Sequence, residues 1–428
     1  MRILWLHQYF STPKGWGAVR TYEFARRFVQ AGHAVDVVCC AGYDASLKPT
    51  GEKPFVIDGV RVFVSGTAYR PHMGFFRRIW SFLLFMSAAL GFVARRGGAY
   101  DVMIASSGPL TLAVPALAGR WLRRLPFVFE VIDVWPDSAI AAGVLKNPVL
   151  TWLSFKLAAF AYHHAAVIVT CSTGMTERVM RALDAGGRGG AIGNRMSDAC
   201  GGVTRDLTCG HSKVLTISNC CDLGEFVSDE TLRKKTRERY DVRDSQTVVL
   251  YAGAMGASNA VDDLLEAIRG TADDDRIVWW IAGDGPRGDE IRALLNVNGH
   301  HRFLGSMAKQ ELAALYLAAD VNGVTFMHEP LFYENSPNKF FDGIAAGLPT
   351  VFNRSTWLEP WLTEYACGIA CPGQAPGREM ADAIRELAGD PERRRQMGRN
   401  ARRLAEDVFD RDALATRYLD VLESALKF

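Results

Sequence analysis

Short apolar segments alternate with segments of helical periodicity along most of the chain. In the first half, "ILWLHQ", "AVDVVCC", "YDVMIAS", "PFVFEVID" and "AAVIVTCS" are rich in apolar and β-branched residues. Between them, segments such as "YEFARRFVQAGH" and "LTLAVPALAGRWLRRL" repeat apolar residues every three or four positions. Strands interleaved with helices predict a parallel, doubly wound α/β sheet. The strands are apolar at nearly every position, which indicates burial on both faces of that sheet.

The same alternation begins again in the second half, with "TVVLYAGAMG", "RIVWWIAGDG", "VNGVTFM" and "TVFN" as further strands. Between the halves, residues 184–212 are rich in glycine and lack periodicity, which predicts a flexible surface insertion. A chain of 428 residues exceeds what one hydrophobic core usually serves. We therefore predict one α/β domain over residues 1–225 and a second over residues 226–407. A final helical pattern lies within residues 408–428, and we expect it to complete the first domain.

Composition and charge exclude several kinds of partner and site. The 49 Lys and Arg residues nearly balance 47 Asp and Glu residues, so the net charge of +2 does not indicate nucleic-acid binding. The first apolar run, "ILWL", is too short for a secretory signal, so we expect a cytoplasmic protein whose nine cysteines are reduced. The gaps between Cys200, Cys209, His211 and Cys220 do not match the short cysteine pairs of zinc sites.

One apolar run raises the question of membrane contact. Residues 79–94 carry no charge and are flanked by Arg77 and Arg78 on one side and by Arg95 and Arg96 on the other. The run is shorter than the roughly 20 residues that span a bilayer. It predicts either a buried helix or an interfacial helix whose arginines meet anionic lipid. On the second alternative, this segment would hold the protein on the cytoplasmic face of the inner membrane.

The stretch "FYENSPNKFFDGIAAGLPTV", residues 332–351, combines a polar loop with a helix that follows a strand. Parallel α/β sheets bind ligands at the carboxyl ends of their strands, so chemistry is expected in such loops. Asn335 or Ser336 can cap the helix, with Pro337 in its first turn. The N–H groups at the helix N-terminus, together with the charge of Lys339, would suit a phosphate.

Two carboxylates lie near this helix start. Glu334 lies just outside the helix, and Asp342 lies roughly a turn and a half inside it. A carboxylate only accepts hydrogen bonds, so one acid would suit sugar hydroxyls and the other the hydroxyls of a ribose. The alternative is that both are solvated surface acids. These residues alone leave both alternatives open.

The spacing of the two acids resembles a known family. A glutamate, seven residues, and an acid followed by "GIAAGLP" are similar to the nucleotide-sugar motif of retaining glycosyltransferases of family 4, which have the GT-B fold. The segments "SSGPLTLAVPALA", "FEVIDVWPDS", "LYAGAMGASNAVDDLLEAI" and "WWIAGDGP" fall in the family's order, and "DVWPDS" and "SPNKFFD" look most like its O-antigen, capsule and exopolysaccharide branch. The resemblance covers most of the chain apart from the glycine-rich insertion. It implies two Rossmann-like doubly wound domains that face each other across a cleft.

The resemblance implies roles for residues of the second domain. Glu334 takes the place of the family's first glutamate, which contacts the donor sugar and phosphates, and Asp342 that of the second, which holds the ribose. The residues around Glu329, "HEPLF", also resemble the family's sequence near the first glutamate, but the spacing from Glu329 to Asp342 does not match. The loop "GAMGASNA" lacks the family's basic pair, so Lys339, Arg287 or backbone amides would neutralise the diphosphate. We favour Lys339 unless it faces solvent. The remaining expected donor-binding residues are Gly253, Gly256, Asn259, Gly283, Arg287, Asn335, Ser336 and Asn338.

The resemblance also places candidates in the first domain. Gly15 and Gly17 of "STPKGWGAV" would let the backbone approach the donor phosphate, with Gly17 nearer the helix start, although an ordinary turn explains them as well. Ile132 and Asp133 stand where many relatives have a catalytic histidine, so Asp133 would position the acceptor hydroxyl unless it only caps a turn. The expected acceptor-side residues are Asp137, Ser107 and Arg20, and Glu130 would support the strand end.

The implied reaction is the transfer, with retention, of a hexosyl or N-acetylhexosaminyl group from a UDP-sugar to a lipid-linked or saccharide acceptor in bacterial surface polysaccharide synthesis. The leaving phosphate can take the acceptor's proton, so the protein supplies positioning and electrostatics. We expect no metal and no cofactor. The acidic run 273–275 precedes a strand, away from the binding edge, and "GDGPRG" lacks the acid of a dinucleotide site. A nucleotide-sugar epimerase of GT-B fold and a catalytically silent membrane-associated scaffold are the alternatives.

Overall fold

A computed structural model describes residues 1–15, 19–42, 44, 46–51, 53–67, 69, 73–141, 143–186, 207–209, 212–256, 259–296 and 301–428. These residues form two compact units, of which the first comprises Met1–Ser218 with Asp412–Phe428 and the second comprises Asn219–Arg411. The predicted boundaries at residues 225 and 408 therefore differ from the observed ones. Both boundary segments pack on the helix Asn338–Ala345 of the second unit, since Cys221 Sγ donates to the Phe341 carbonyl (3.2 Å) and the Phe409 ring lies 5.1 Å from the Phe341 ring.

The first unit is built on a nine-stranded sheet. Its strands are β1 (Arg2–Leu6), β2 (Ala34–Cys40), β3 (Phe55–Ile57), β4 (Val60–Ser65), β5 (Val102–Ser106), β6 (Phe127–Val131), β7 (Val167–Thr170), β8 (Leu207–Cys209) and β9 (Ser212–Thr216). They lie in the order β3-β4-β2-β1-β5-β6-β7-β9-β8. Among the strands of the described residues, the two edge pairs, β3 with β4 and β8 with β9, are antiparallel and the other pairs are parallel. Strands β5, β6 and β7 are buried along their whole length, as expected for a sheet covered on both faces.

Helices cover both faces of this sheet. They are α1 (Arg20–Gln30), α2 (Phe75–Arg96), α3 (Ala113–Arg123), α4 (Asp137–Ala141), α5 (Pro148–His164) and α6 (Thr173–Gly186). Buried side chains of α2, α3, α5 and α6 share one core with the side chains of β1, β5 and β6 that point to that face. By length and composition alone, Phe76–Ala99 is apolar enough to cross a membrane, and 28% of its apolar window is buried.

The second unit has a six-stranded parallel sheet. Its strands are β10 (Thr247–Ala252), β11 (Ile277–Ala282), β12 (Arg302–Gly305), β13 (Val321–Val324), β14 (Thr350–Phe352) and β15 (Gly368–Ala370). They lie in the order β12-β11-β10-β13-β14-β15, so the chain builds outward from β10 in one direction and then from β13 in the other. In open α/β sheets, ligands bind at the carboxyl ends of the strands where this direction reverses.

The helices of the second unit connect these strands. They are α7 (Glu230–Arg239), α8 (Val261–Gly270), α9 (Gly288–Asn296), α10 (Lys309–Ala318), α11 (Asn338–Ala345), α12 (Glu359–Glu364), α13 (Pro376–Gly389) and α14 (Pro391–Asp407). The last helix, α15 (Arg411–Ala425), returns to the first unit, where Tyr418 packs edge-on against Trp5 with ring centroids 5.8 Å apart. The predicted fold class, two doubly wound parallel α/β domains, is confirmed.

Candidate functional site

Two strand-end loops meet at the carboxyl edge of the second sheet. The loop after β10 and the loop after β11 are joined by hydrogen bonds from Gly253 N to the Ala282 carbonyl (2.9 Å) and from Met255 N to the Asp284 carbonyl (3.0 Å). Gly283 has a φ of +130°, and a Cβ atom there would lie 2.0 Å from the Gly253 carbonyl oxygen. Only glycine fits such a close approach. The structure thus brings the predicted residues Gly253 and Gly283 together.

Lys339 points its ammonium group at this junction. Its Nζ donates to Asn259 Oδ1 (2.8 Å) and to the Tyr251 hydroxyl (3.1 Å), and a Cβ atom on Gly253 would lie 3.0 Å from the same Nζ. The residue is only 9% exposed, so the alternative of a solvent-facing lysine is wrong. The Lys339 carbonyl accepts from Asn322 Nδ2 (3.0 Å), which fixes the backbone beneath the side chain. A rigid positive charge therefore lies against the loop after β10.

The first turn of α11 lies beside this charge, but it is capped differently from the prediction. Pro337 is the N-cap residue, and its side chain makes no capping hydrogen bond. Asn335 and Ser336 instead use their carbonyls, which accept from Trp357 Nε1 (2.9 Å) and Asn219 Nδ2 (2.6 Å). The predicted capping by their side chains is wrong because these contacts and Pro337 hold the loop in an extended conformation.

Asp342 lies on α11 next to a cluster of charged groups. Burial raises the pKa of its carboxyl to about 6, against the influence of Lys309 and Arg411. Both cations are paired with Asp222, at 3.1 Å each, so they compensate Asp342 only in part. The alternative of a solvated surface acid does not describe this residue. A carboxylate in this position can accept two hydrogen bonds from a diol once it is ionised.

The other predicted residues around α11 are more open. Glu334 ends the 3-10 helix Pro330–Glu334 and is half-buried, whereas Glu329 and Asn338 are exposed. Gly256 has open space around the position of a Cβ atom.

Arg287 does not bring an unpaired charge to the site. Its guanidinium donates to Asp262 (2.7 Å) and to both carboxylate oxygens of Glu290 (2.9 and 2.7 Å). Among the predicted cations, Lys339 is therefore the one aimed at the loop after β10. A cavity elsewhere in this unit, near Arg394 and Leu348, is lined by none of the predicted residues and lies at the amino edge of the sheet.

A polar network around the buried Asp263 and Asn353 was not predicted from the sequence. Asp263, in the first turn of α8, accepts from Asn353 Nδ2 and lies 3.0 Å from His328 Nε2. Asn353 Oδ1 in turn accepts from Phe326 N (2.8 Å). The network ties the loops after β13 and β14 to α8. The signal in the sequence was the position of Asn353 directly after β14 and of His328 in the loop after β13.

The first unit brings two candidates together at the carboxyl ends of β5 and β6. Ser107 Oγ donates to the Asp133 carbonyl (3.0 Å), and the Asp133 side chain is exposed. Asp137 begins α4, half-buried. Gly15 closes an ordinary turn by donating to the Thr12 carbonyl (2.9 Å). Gly17, like Cys200 and His211, lies outside the described residues.

Arg20, predicted on the acceptor side, makes structural contacts within the first unit. The residue is buried, and it donates to Glu130 (3.0 Å) and to the carbonyls of Ile217 (2.8 Å) and Ser218 (2.5 Å). Glu130 is fully buried and also accepts from Ser106 Oγ (2.6 Å), which is the strand-end support that the sequence predicted. The guanidinium therefore faces the protein interior and ties α1 to the ends of β6 and β9.

His7, at the end of β1, belongs to the same interior and was not predicted. Its Nδ1 lies 2.5 Å from the Thr21 hydroxyl, and burial lowers the pKa of its imidazole to about 4. It is therefore neutral at physiological pH. A histidine after the first strand was visible in "ILWLHQ", but nothing in the sequence distinguished a buried ring from an exposed one.

Two family models match the chain in succession. A glycosyl transferase 4-like domain matches residues 17–187, and a glycosyl transferases group 1 domain matches residues 233–404. The GDP-mannose-dependent alpha-(1-6)-phosphatidylinositol monomannoside mannosyltransferase of Mycobacterium tuberculosis is 27% identical over 208 residues, which are 47% of this chain and 53% of that protein. The lipopolysaccharide core biosynthesis glycosyltransferase LpsD of Rhizobium meliloti is 27% identical over 160 residues, or 36% of this chain and 44% of LpsD. The chain spans about half the length of these curated relatives.

A solved structure is similar over the whole chain. The structure of Anabaena HepE with UDP-glucose has a TM-score of 0.69 at 17% identity, and the match covers 99% of this chain and 100% of HepE. At that identity the likeness shows the fold alone. The two matched domains account for most of the chain, and the chain therefore belongs to the glycosyltransferases of the GT-B fold.

Proposed function

We propose that the protein is a retaining glycosyltransferase that moves a sugar from a UDP-sugar to a lipid-linked or saccharide acceptor in bacterial surface polysaccharide synthesis. The observation that carries this proposal is the buried Lys339 ammonium, which Asn259 and Tyr251 hold against the loop after β10. A diphosphate leaving group develops negative charge as the glycosidic bond breaks, and a cation fixed in advance stabilises that charge most effectively.

The remaining roles follow from the groups that surround this charge. The first-turn N–H groups of α11 would bind donor phosphate oxygens, because the N-cap residue Pro337 has no side-chain acceptor that could occupy them. The carboxylate of Asp342 would accept hydrogen bonds from both ribose hydroxyls, and Glu334 would contact the donor sugar. Asp133 and Ser107 would orient the acceptor hydroxyl, while a departing phosphate oxygen takes its proton. No metal and no cofactor is needed in this scheme.

The names of similar proteins support a nucleotide-sugar donor but differ in its base. HepE was solved with UDP, with UDP and glucose, and with UDP-glucose, whereas the mycobacterial relative is named as GDP-mannose-dependent. The role of LpsD in lipopolysaccharide core biosynthesis supports an acceptor in surface polysaccharide. We propose uridine as the base, and the experiment below compares the two.

We also propose that the enzyme works on the cytoplasmic face of the inner membrane and contacts it through residues 72–96. The support is that α2 exposes Phe76 (84%) and Trp80 (63%) among its arginines. A lipid-linked acceptor would then be presented to an enzyme already at the bilayer surface.

Titration calorimetry with UDP and GDP tests the donor site. We expect UDP to bind the wild-type protein more tightly than GDP, and Lys339→Met to weaken UDP binding about ten- to a hundredfold, as for loss of a charged hydrogen bond. Lys234→Met, which removes an exposed lysine of the same unit, is the matched control. Unchanged UDP affinity in Lys339→Met, or no binding of either nucleotide, would refute the site.

Product analysis separates transfer from the alternatives. An epimerase would release altered sugar from the donor without any acceptor, and a silent scaffold would bind no donor. With an acceptor present, the NMR coupling of the anomeric proton reports whether the configuration of the donor is retained. Inversion would refute the proposed mechanism.

A further inference from the structure

The first half of α5 carries large apolar side chains that the first unit leaves exposed. Val149 is 63% exposed and Trp152 58%, and Leu150, Leu153 and Phe155 are exposed as well. A group of this kind is unusual on a soluble monomer and marks an interaction surface. The second half of the helix is anchored, since its buried side chains belong to the core beneath it.

Helix α2 presents a second apolar stripe. Phe76, Ile79, Trp80, Leu83 and Leu84 are exposed and recur at the three- and four-residue spacing of one helix face. The opposite face of α2 is the one that enters the core. The helix is therefore apolar on both faces, and the described residues of the first unit cover one of them.

The two exposed segments lie on the same side of the sheet. Helix α3 packs against both α2 and α5, and all three contribute to the same core. Helix α2 follows β4, so it begins at the carboxyl edge of the sheet. Helix α5 leads back to the start of β7 over 17 residues, about 25 Å, so it begins near the same edge. The exposed Ile140 of α4 lies between them along the chain.

The charge around these helices is strongly basic. Residues 59–176 contain 11 Lys and Arg but only 4 Asp and Glu, a net charge of +7 in a chain whose total is +2. Of the four acids, Glu130 is buried in its pair with Arg20. Arg77, Lys146 and Lys156 are exposed next to the apolar residues, and Lys156 lies 5.9 Å from the Trp152 ring.

We propose that the exposed apolar residues of α2 and of the first half of α5 enter the headgroup boundary of an anionic bilayer. Basic residues beside an apolar face match such a surface, because each adds attraction to anionic lipid. A second copy of the chain fits less well, since a symmetric interface would bring two basic surfaces together. This extends the membrane contact from α2 to α5, and it rests on the proposed function in taking the acceptor as lipid-linked.

The position of this surface suits such an acceptor. Ser107 and Asp133 lie at the carboxyl edge of the same sheet, where α2 begins and near which α5 begins. A bilayer that receives the two helices would present lipid headgroups to that edge. The saccharide of a lipid-linked acceptor would then meet the residues proposed to orient its hydroxyl.

Vesicle flotation of the full chain tests the proposal. We expect the wild-type protein to float with vesicles of phosphatidylcholine and phosphatidylglycerol, and to bind pure phosphatidylcholine at least tenfold more weakly. Trp152→Gln combined with Leu153→Gln should lower binding to the anionic vesicles about tenfold or more. Val227→Gln, an exposed apolar residue of the second unit, is the matched control and should bind as the wild type does.

Two outcomes would overturn the proposal. One is wild-type protein that does not float with anionic vesicles, and the other is a double variant that floats as well as the wild type. If a second copy of the chain bound this surface, the wild-type protein would show a mass that increases with concentration, and the double variant would not. That result, without vesicle binding, would replace the bilayer with a second copy as the partner of this surface. UDP titration of the same samples keeps the donor site separate, because loss of UDP binding would leave the flotation result unchanged.

Discussion

Replacing Asp342 with asparagine tests how burial controls the charge of the carboxylate proposed to hold the ribose. Burial raises its pKa from 3.8 to about 6 in the folded protein. A shift of about two pKa units corresponds to roughly 3 kcal/mol, at 1.36 kcal/mol per unit. Asparagine has nearly the same shape but never ionises, so it removes this cost of ionisation from the folded state.

The sign follows from proton binding. Between pH 3.8 and 6 the folded protein holds the Asp342 proton more tightly than the unfolded chain does, so stability falls as the pH rises through this window. Asp342→Asn should therefore be more stable than the wild type by about 3 kcal/mol at pH 7.5. The same linkage leaves about half of that difference at pH 5. For a unit of this size, 3 kcal/mol corresponds to roughly 6–12 °C in Tm.

Scanning calorimetry without nucleotide, at pH 7.5 and pH 5, measures this difference. The transition of the second unit is followed in the wild type and in Asp342→Asn, and only the difference between the two is interpreted, because many other groups also titrate. Asp289→Asn removes an exposed acid of the same unit and serves as the control. A variant no more stable than the wild type at pH 7.5, or a difference that does not shrink at pH 5, would refute the reasoning.

Nucleotide binding should respond in the opposite direction. Only the ionised carboxylate accepts both ribose hydroxyls, so the UDP affinity of the wild type should rise about tenfold from pH 5 to pH 7. Asp342→Asn should bind UDP more weakly at pH 7 and lack this rise. Titrating the variant over the same range also accounts for the ionisation of UDP itself. If ionisation of Asp342 lowers the stability of the fold and raises the affinity for UDP, the carboxylate contributes to ligand binding and not to folding.

Three further substitutions test the packing. Gly283→Ala should lower the Tm of the second unit strongly, because the new Cβ would lie 2.0 Å from a backbone carbonyl, whereas Gly256→Ala meets open space and should change it little. Arg20→Met should cost about 3–5 kcal/mol in thermal unfolding, because it leaves a buried carboxylate unpaired, while Arg2→Met removes an exposed pair and should cost under about 1 kcal/mol. Asn353→Ala should cost about 1–3 kcal/mol in the same measurement by leaving buried polar groups unsatisfied.

The fold was readable from the sequence because its signal is local. A parallel strand covered on both faces is apolar along its length, as in β6 and β11, and each such strand is followed by a helical pattern. Domain boundaries were less readable, because Asn219 and Cys221 join the second unit through hydrogen bonds to the carbonyls of Ser336 and Phe341, far away in the chain. No local pattern reports such a pairing.

The candidate site was readable in its residue types but not in its contacts. The helix start in "SPNKFFD" indicated a phosphate site and located Lys339, yet the burial of that lysine depends on Asn259 and Tyr251, both in another part of the chain. The capping role given to Asn335 and Ser336 failed for a related reason, since distant donors occupy their carbonyls. Spacing along the chain thus predicts the chemistry that a residue can supply, but it does not predict which residues that side chain will contact.

Helices α2 and α5 show that an apolar sequence pattern does not by itself predict whether a helix is buried or exposed. The run in α2 left a buried helix and an interfacial helix as equal alternatives, and α5 was not singled out because its apolar residues are spread around the whole helix. Burial separates the cases, since Ala158, Ala161 and Tyr162 in the second half of α5 are buried, whereas the large apolar residues of the first half are exposed. The acid-poor composition of residues 59–176 was visible throughout, but the overall charge of +2 concealed it. A basic, apolar surface beside Ser107 and Asp133 is what an enzyme needs if its acceptor cannot leave the membrane.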